Sequence, residues 1–95
     1  MAYGVPLTVP RLAKVHHGER VLKELGFPDC RVRLHETGEA SIARIEVPRA
    51  QLQQAIDQGA RIAQALRAIG FTWVTLDLLG QRPGSLLEAF PVRPA

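Results

Sequence analysis

The stretch Cys30-Arg31-Val32-Arg33-Leu34-His35 alternates apolar and polar side chains without a break. Successive side chains of a strand point to opposite faces, so this pattern describes a half-buried β-strand. Cys30, Val32 and Leu34 share the face that has to be packed, while Arg31, Arg33 and His35 share the other. Neighbours on one face stand about 7 Å apart along the strand. The basic face has two readings. It is a solvated outer surface, or an anion-binding one whose guanidinium forks suit phosphate or carboxylate.

The flanking chain supplies the layers around this strand. Residues 1–7 have no hydrophobic period and read as an extended lead-in. Thr8 caps a helix with Pro10 in its first turn, and Leu12, Val15, Leu22 and Leu25, with Val21 beside them, form its stripe. Gly26-Phe27 stops that helix, and Pro28-Asp29 turns the chain into the strand. Glu36-Thr37-Gly38-Glu39 reads as a hairpin turn, followed by a second strand, Ser41 to Val47. Its Ala43, Ile45 and Val47 face the core; Ile42, Arg44 and Glu46 face away. Pro48 opens a long helix with the stripe Leu52, Ile56, Gly59, Ala63 and Leu66, widened by Ile62 and Ile69 and stopped at Gly70-Phe71. Trp73 to Leu78 is the third strand, with Val74, Leu76 and Leu78 inward. A tight loop over 80–84, a short helix from the Ser85 cap through Phe90 and a frayed tail over 91–95 complete the chain. The heptapeptides ending in Leu25-Gly26-Phe27 and Ile69-Gly70-Phe71 echo each other, and either a shared helix stop or a duplication accounts for that.

Ninety-five residues make a single domain, 1–95, of class α+β with the order α-β-β-α-β over 8–90. The hairpin strands are antiparallel, and a crossover helix makes the second and third strands parallel. The expected strand order is 2-1-3, with two long helices on one face in a ferredoxin-like half. The open face then carries Arg31, Arg33, His35, Arg44, Glu46, Thr75 and Asp77.

Several function classes are disfavoured. The net charge is only +3, its basic residues are dispersed and five residues are aromatic, which argues against a nucleic-acid stacking platform. One cysteine excludes an internal disulfide and fits a reducing, cytoplasmic compartment. No apolar run approaches the roughly 20 residues of a membrane span. His16 and His17 diverge by about 100° on a helix and do not converge on a metal. His35 has no partner at ligand spacing, and Cys30 reads as a buried small hydrophobe rather than a reactive thiol. Residues 80–85 offer either a plain turn and cap or amides for an anion. Glu19, at the edge of the first helix's stripe, reaches solvent or pairs with a sheet arginine.

One set of motifs is more specific. Tyr3-Gly4-x-Pro6-x-Thr8, Leu12-x-x-Val15-x-x-Gly18-Glu19-x-x-Leu22 and Leu25-Gly26-Phe27 are followed in order by Arg31-Val32-Arg33-x-His35 and Ala43-Arg44-Ile45-Glu46-Val47. Gly70-Phe71-x-x-Val74-Thr75-Leu76-Asp77-Leu78-x-Gly80-x-Arg82-x-Gly84-Ser85 completes the series. Over residues 3–88 this resembles the C-terminal domain of LarE-type ATP-dependent sacrificial sulfur transferases of the PP-loop superfamily. The resemblance implies a neighbouring domain that adenylates a carboxylate of a pyridinium mononucleotide on the way to the nickel-pincer nucleotide. It further implies a C-terminal domain that lines the substrate site and joins in oligomer assembly. It assigns phosphate binding to Arg31 and Arg33, with His35 on the same face, and an acidic site role to Glu19.

The departures limit what carries over. The family's Ser-Gly-Gly-x-Asp-Ser loop is absent, its sacrificial cysteine falls before Tyr3-Gly4, Ala50 stands where an acidic residue is usual, and Leu86 replaces a usual Met. Cys30 does not inherit the donor role. No catalytic residue, cofactor or metal is therefore expected of this chain alone. The expected partners are a phosphate-bearing small molecule, a separate PP-loop ATPase and a second copy of the chain. A ligand-free structural or oligomerisation module is the alternative, with a nucleic-acid-binding module behind it.

Overall fold

In the computed structural model, which describes residues 8–81, two helices end by the same device. Helix α1 (Val9–Glu24) and helix α3 (Gly59–Ile69) are each followed by a glycine at positive φ, Gly26 at 109° and Gly70 at 129°. The Phe27 amide then donates back to the Leu22 carbonyl at 3.0 Å, and the Phe71 amide to that of Leu66 at 3.3 Å. Gly26 and Gly70 donate to Lys23 and Arg67. This double closure satisfies end carbonyls and needs a residue without Cβ at the turn. It places Leu22, Phe27, Leu66 and Phe71 in the core, none more than 2% exposed. The sequence echo is thus accounted for by a shared helix stop.

Strands β1 (Arg31–Thr37) and β2 (Ala40–Glu46) form an antiparallel hairpin with Thr37 opposite Ala40, turning at Gly38-Glu39. Strand β3 (Trp73–Leu76) lies parallel to β2. The sheet order is β1-β2-β3, which corrects the expected 2-1-3: the central strand is β2, and the arginine strand is an edge. Two local interactions decide this. Thr72 donates its amide to the Ser41 carbonyl at 2.7 Å and accepts the Ser41 amide on Oγ1 at 3.1 Å, clasping the start of β3 to β2. On the far side of β1, the Glu19 carboxylate occupies the Val32 amide at 3.0 Å, where a further strand would pair.

The α+β class and the α-β-β-α-β order hold. Val32 and Leu34 of β1, Ala43 and Ile45 of β2, Leu22 of α1 and Ile62 and Leu66 of α3 make one buried cluster, so both helices cover one sheet face. Each fully buried leucine contributes about 1.5–3 kcal/mol. Gly18 permits the close approach of α1: a Cβ there would lie 3.3 Å from Leu66 and 3.5 Å from Val32.

The second helical segment is not one helix. A 3-10 turn (Arg49–Gln51) leads into α2 (Leu52–Asp57), and the axis breaks at Gln58 before α3. Gly59 weakens the helix there, while the Gln58 side chain donates to the Leu25 carbonyl and Gln51 to that of Gly26, satisfying the end of α1. The buried positions are Ala55, Ile62 and Leu66, and Ile56 is exposed. Leu12 is also exposed. Strand β3 ends two residues early because Asp77 accepts the Leu79 amide on its side chain and the Gly80 amide on its carbonyl, forming a turn that leaves Leu78 outside the core. The expected helix over 85–90, the lead-in over 1–7 and the tail over 91–95 lie outside the described residues.

Candidate functional site

The open face of the sheet is a grid set by register. His35, Ile42 and Trp73 form one row, and Arg33, Arg44 and Thr75 the next. Arg31 stands opposite Glu46 in the row after that. Because Ala43 and Val74 pair in the core layer, Ile42 and Trp73 must face the other way.

Arg44, in the centre, is held by the side chains of three residues, Glu46, Asp77 and His35. Its Nη1 lies 2.9 Å from Glu46 Oε2 and 2.7 Å from Asp77 Oδ2, and its Nε donates to His35 Nε2 at 3.2 Å. Glu46 also faces Arg33, with its Oε1 3.4 Å from the guanidinium Nε. Glu46 is buried although it carries a charge, which two flanking guanidiniums make tolerable. Three guanidiniums against two carboxylates leave this face only one net positive charge, from Arg31, Arg33 and Arg44 less Glu46 and Asp77. The arginines therefore divide. Arg44 is committed to the network. Arg33 is loosely held and nearly half exposed, at 45%. Arg31 is exposed, and its side chain makes no hydrogen bond or ion pair among the described residues.

His35 is half-buried beside this network. Burial first, and the Arg44 charge second, push its imidazole below the ordinary histidine range. As acceptor from Arg44 through Nε2, it carries its proton on Nδ1.

Glu19 is not on this face. Reaching from α1 around the sheet edge to the Val32 amide, it fixes the position of β1. Cys30 is buried beside it, its Sγ donating to the Glu19 carbonyl at 3.5 Å. Burial, and then the Glu19 charge, raise the thiol above its ordinary range, so at neutral pH it is protonated and a poor nucleophile. The structure thus brings Arg31, Arg33 and His35 to one surface and sets Glu19 apart from them.

Other candidates lie elsewhere. His16 and His17 are exposed on α1. No group of three His, Cys, Asp or Glu among the described residues is placed to hold a metal. A shallow depression lined by Asp57, Gln58, Ala60, Arg61 and Gln64 lies on α2 and α3 rather than on the sheet. No helix among the described residues is long and apolar enough to cross a membrane. Sequence reasoning placed Arg44, Glu46 and Asp77 on the open face but did not foresee their mutual pairing. It overlooked Trp73, which the alternation with Val74 and Leu76 puts there.

No family model matches the chain. It is 42% identical over 84 residues to the pyridinium-3,5-bisthiocarboxylic acid mononucleotide synthase of Lactiplantibacillus plantarum, a match over 88% of this chain and 29% of the synthase. It is 38% identical over 86 residues to an uncharacterised protein of Synechocystis, covering 88% of this chain and 31% of that protein. The chain thus spans about three-tenths of the length of these relatives. Over these 84 residues, it is homologous to the LarE-type sulfur transferases.

Proposed function

We propose that this chain is the substrate-contacting part of a LarE-type sulfur transferase, and that Arg31 and Arg33 hold a phosphate- or carboxylate-bearing ligand on the open sheet face. The observation that carries this reading is the division among the arginines. Arg44 is spent on Glu46 and Asp77, whereas Arg31 has no ion pair among the described residues and Arg33 only a 3.4 Å one. Two such guanidiniums, about 7 Å apart on one strand face, can take one anion between them. The product named for the Lactiplantibacillus synthase is a mononucleotide bearing acid groups, which is chemistry of this kind. Under this reading the chain binds and orients ligand, while phosphate activation falls to a PP-loop ATPase partner and sulfur donation to a cysteine other than Cys30.

Calorimetric titration of the chain with nicotinic acid mononucleotide tests it. Each charge-assisted arginine contact contributes about 1.5–3 kcal/mol, so Arg31→Ala and Arg33→Ala should each weaken binding at least tenfold. Unchanged affinity in both variants would overturn the assignment.

A second role is supported by Leu78 and Leu79, which are 73% and 63% exposed just after β3. Adjacent exposed leucines favour self-association. Light scattering across a concentration series tests this, and a strict monomer at every concentration would remove it.

A further inference from the structure

Among the described residues, Trp73 is the large aromatic side chain that the fold leaves uncovered. It is 60% exposed at the start of β3, although a strand tryptophan on the other face would have joined the core. It shares a row with Ile42 and His35, one row from Arg33. The open face is therefore divided into an ionic side and an apolar, aromatic side. Two strand spacings across and one row along put Arg33 and Trp73 about 12 Å apart between Cα atoms. Both side chains are long, so a guanidinium and an indole face can engage the two ends of a ligand the size of one nucleotide. Arg44 cannot compete for the anion, because its guanidinium is already held by Glu46 and Asp77.

Resting on the anion-binding role of Arg31 and Arg33, we infer that Trp73 is a ligand-binding residue that receives the planar ring of a mononucleotide-class ligand. The phosphate lies on Arg33 and Arg31, the ribose crosses the centre of the sheet, and the ring stacks on the indole over Ile42. Tryptophan is the side chain best suited to this, since its π face also attracts a cationic ring. Only one aromatic platform is present in this row, which fits a single ring rather than a run of bases.

Trp73 is the sole tryptophan of the chain, so its fluorescence reports this contact without ambiguity. The experiment titrates nicotinic acid mononucleotide and, in parallel, ribose 5-phosphate, which carries the phosphate and no ring. Saturable quenching by the mononucleotide is expected, with affinity about tenfold tighter than for ribose 5-phosphate, the usual worth of one stacked ring. Calorimetry on Trp73→Ala should show that advantage lost while ribose 5-phosphate affinity is unchanged, which also shows that the variant folds. Trp73→Phe should keep most of it. Equal affinity for the two ligands without a fluorescence change would overturn the role of Trp73 and leave the anion site standing. Failure of both ligands to bind would overturn both. Tighter binding of a single-stranded oligonucleotide, with quenching, would overturn the mononucleotide class.

Discussion

Replacing Glu46 by Gln separates the two duties of the open-face network. The carboxylate is buried and faces Arg44 at 2.9 Å and Arg33 at 3.4 Å. The substitution keeps the shape and removes the charge. Arg44 retains Asp77 at 2.7 Å, so it is not left unpaired, and the large penalty of an isolated buried cation does not arise. The pairs are partly solvated at the arginine end, where such contacts are worth about 0–1 kcal/mol each. Two of them give an expected loss of up to about 2 kcal/mol. A domain of this size shifts by about 4–8 °C per kcal/mol, so Tm should fall by no more than about 16 °C. Anion affinity should move the other way. A carboxylate roughly 7 Å from a bound phosphate repels it by about 1 kcal/mol at an effective dielectric constant near 40. Removing it, and releasing Arg33, should tighten inorganic phosphate binding about five- to tenfold. Differential scanning calorimetry and phosphate titration on the same preparation read both quantities. Weaker phosphate binding in Glu46→Gln would refute the competition between Glu46 and ligand for Arg33.

Other outcomes follow from the same geometry. Glu19→Gln weakens the bond to the Val32 amide and should cost about 1–2 kcal/mol, with faster hydrogen exchange at Val32 than at the core amides of β2; unchanged exchange at Val32 would count against the edge contact. Leu66→Ala, at a fully buried position shared by α1, α3 and the sheet, should cost about 2–5 kcal/mol in urea unfolding, and a cost under 1 kcal/mol would contradict the core described. His35, held below the ordinary range by burial and then by Arg44, takes up its proton at lower pH in the folded chain than in the unfolded chain, which titrates near pH 6.5. The folded state therefore binds fewer protons, and its stability is full above about pH 6.5 and declines as the pH falls through the window below. His35→Gln should flatten that part of the stability–pH curve, and an unaltered curve would count against the Arg44 contact.

Most of the architecture was legible because period and punctuation agree in this chain. Alternation over 30–35 and the paired Gly-Phe stops defined two strand faces and two helix ends, and both survive in the structure. Strand order was not legible. It depends on the Thr72–Ser41 clasp and on Glu19 at the β1 edge, contacts 31 and 13 residues apart that leave no periodic trace. The break at Gln58 was hidden for a related reason, since the helical stripe continues through it while the side chain serves α1 instead. At the site, alternation identified Arg31, Arg33 and His35 as one surface. Charge counting along the sequence could not show that Glu46 and Asp77 neutralise most of it, because that pairing arises across strands.

The central claim is that the open sheet face binds an anion through Arg31 and Arg33. Amide chemical-shift mapping of the chain titrated with nicotinic acid mononucleotide tests it most directly. The account predicts saturable shifts centred on Arg31 and Arg33 of β1, extending across the sheet toward Trp73, with little change on α2 and α3. Shifts confined to the helices, or none at Arg31 and Arg33 at saturating ligand, would contradict it.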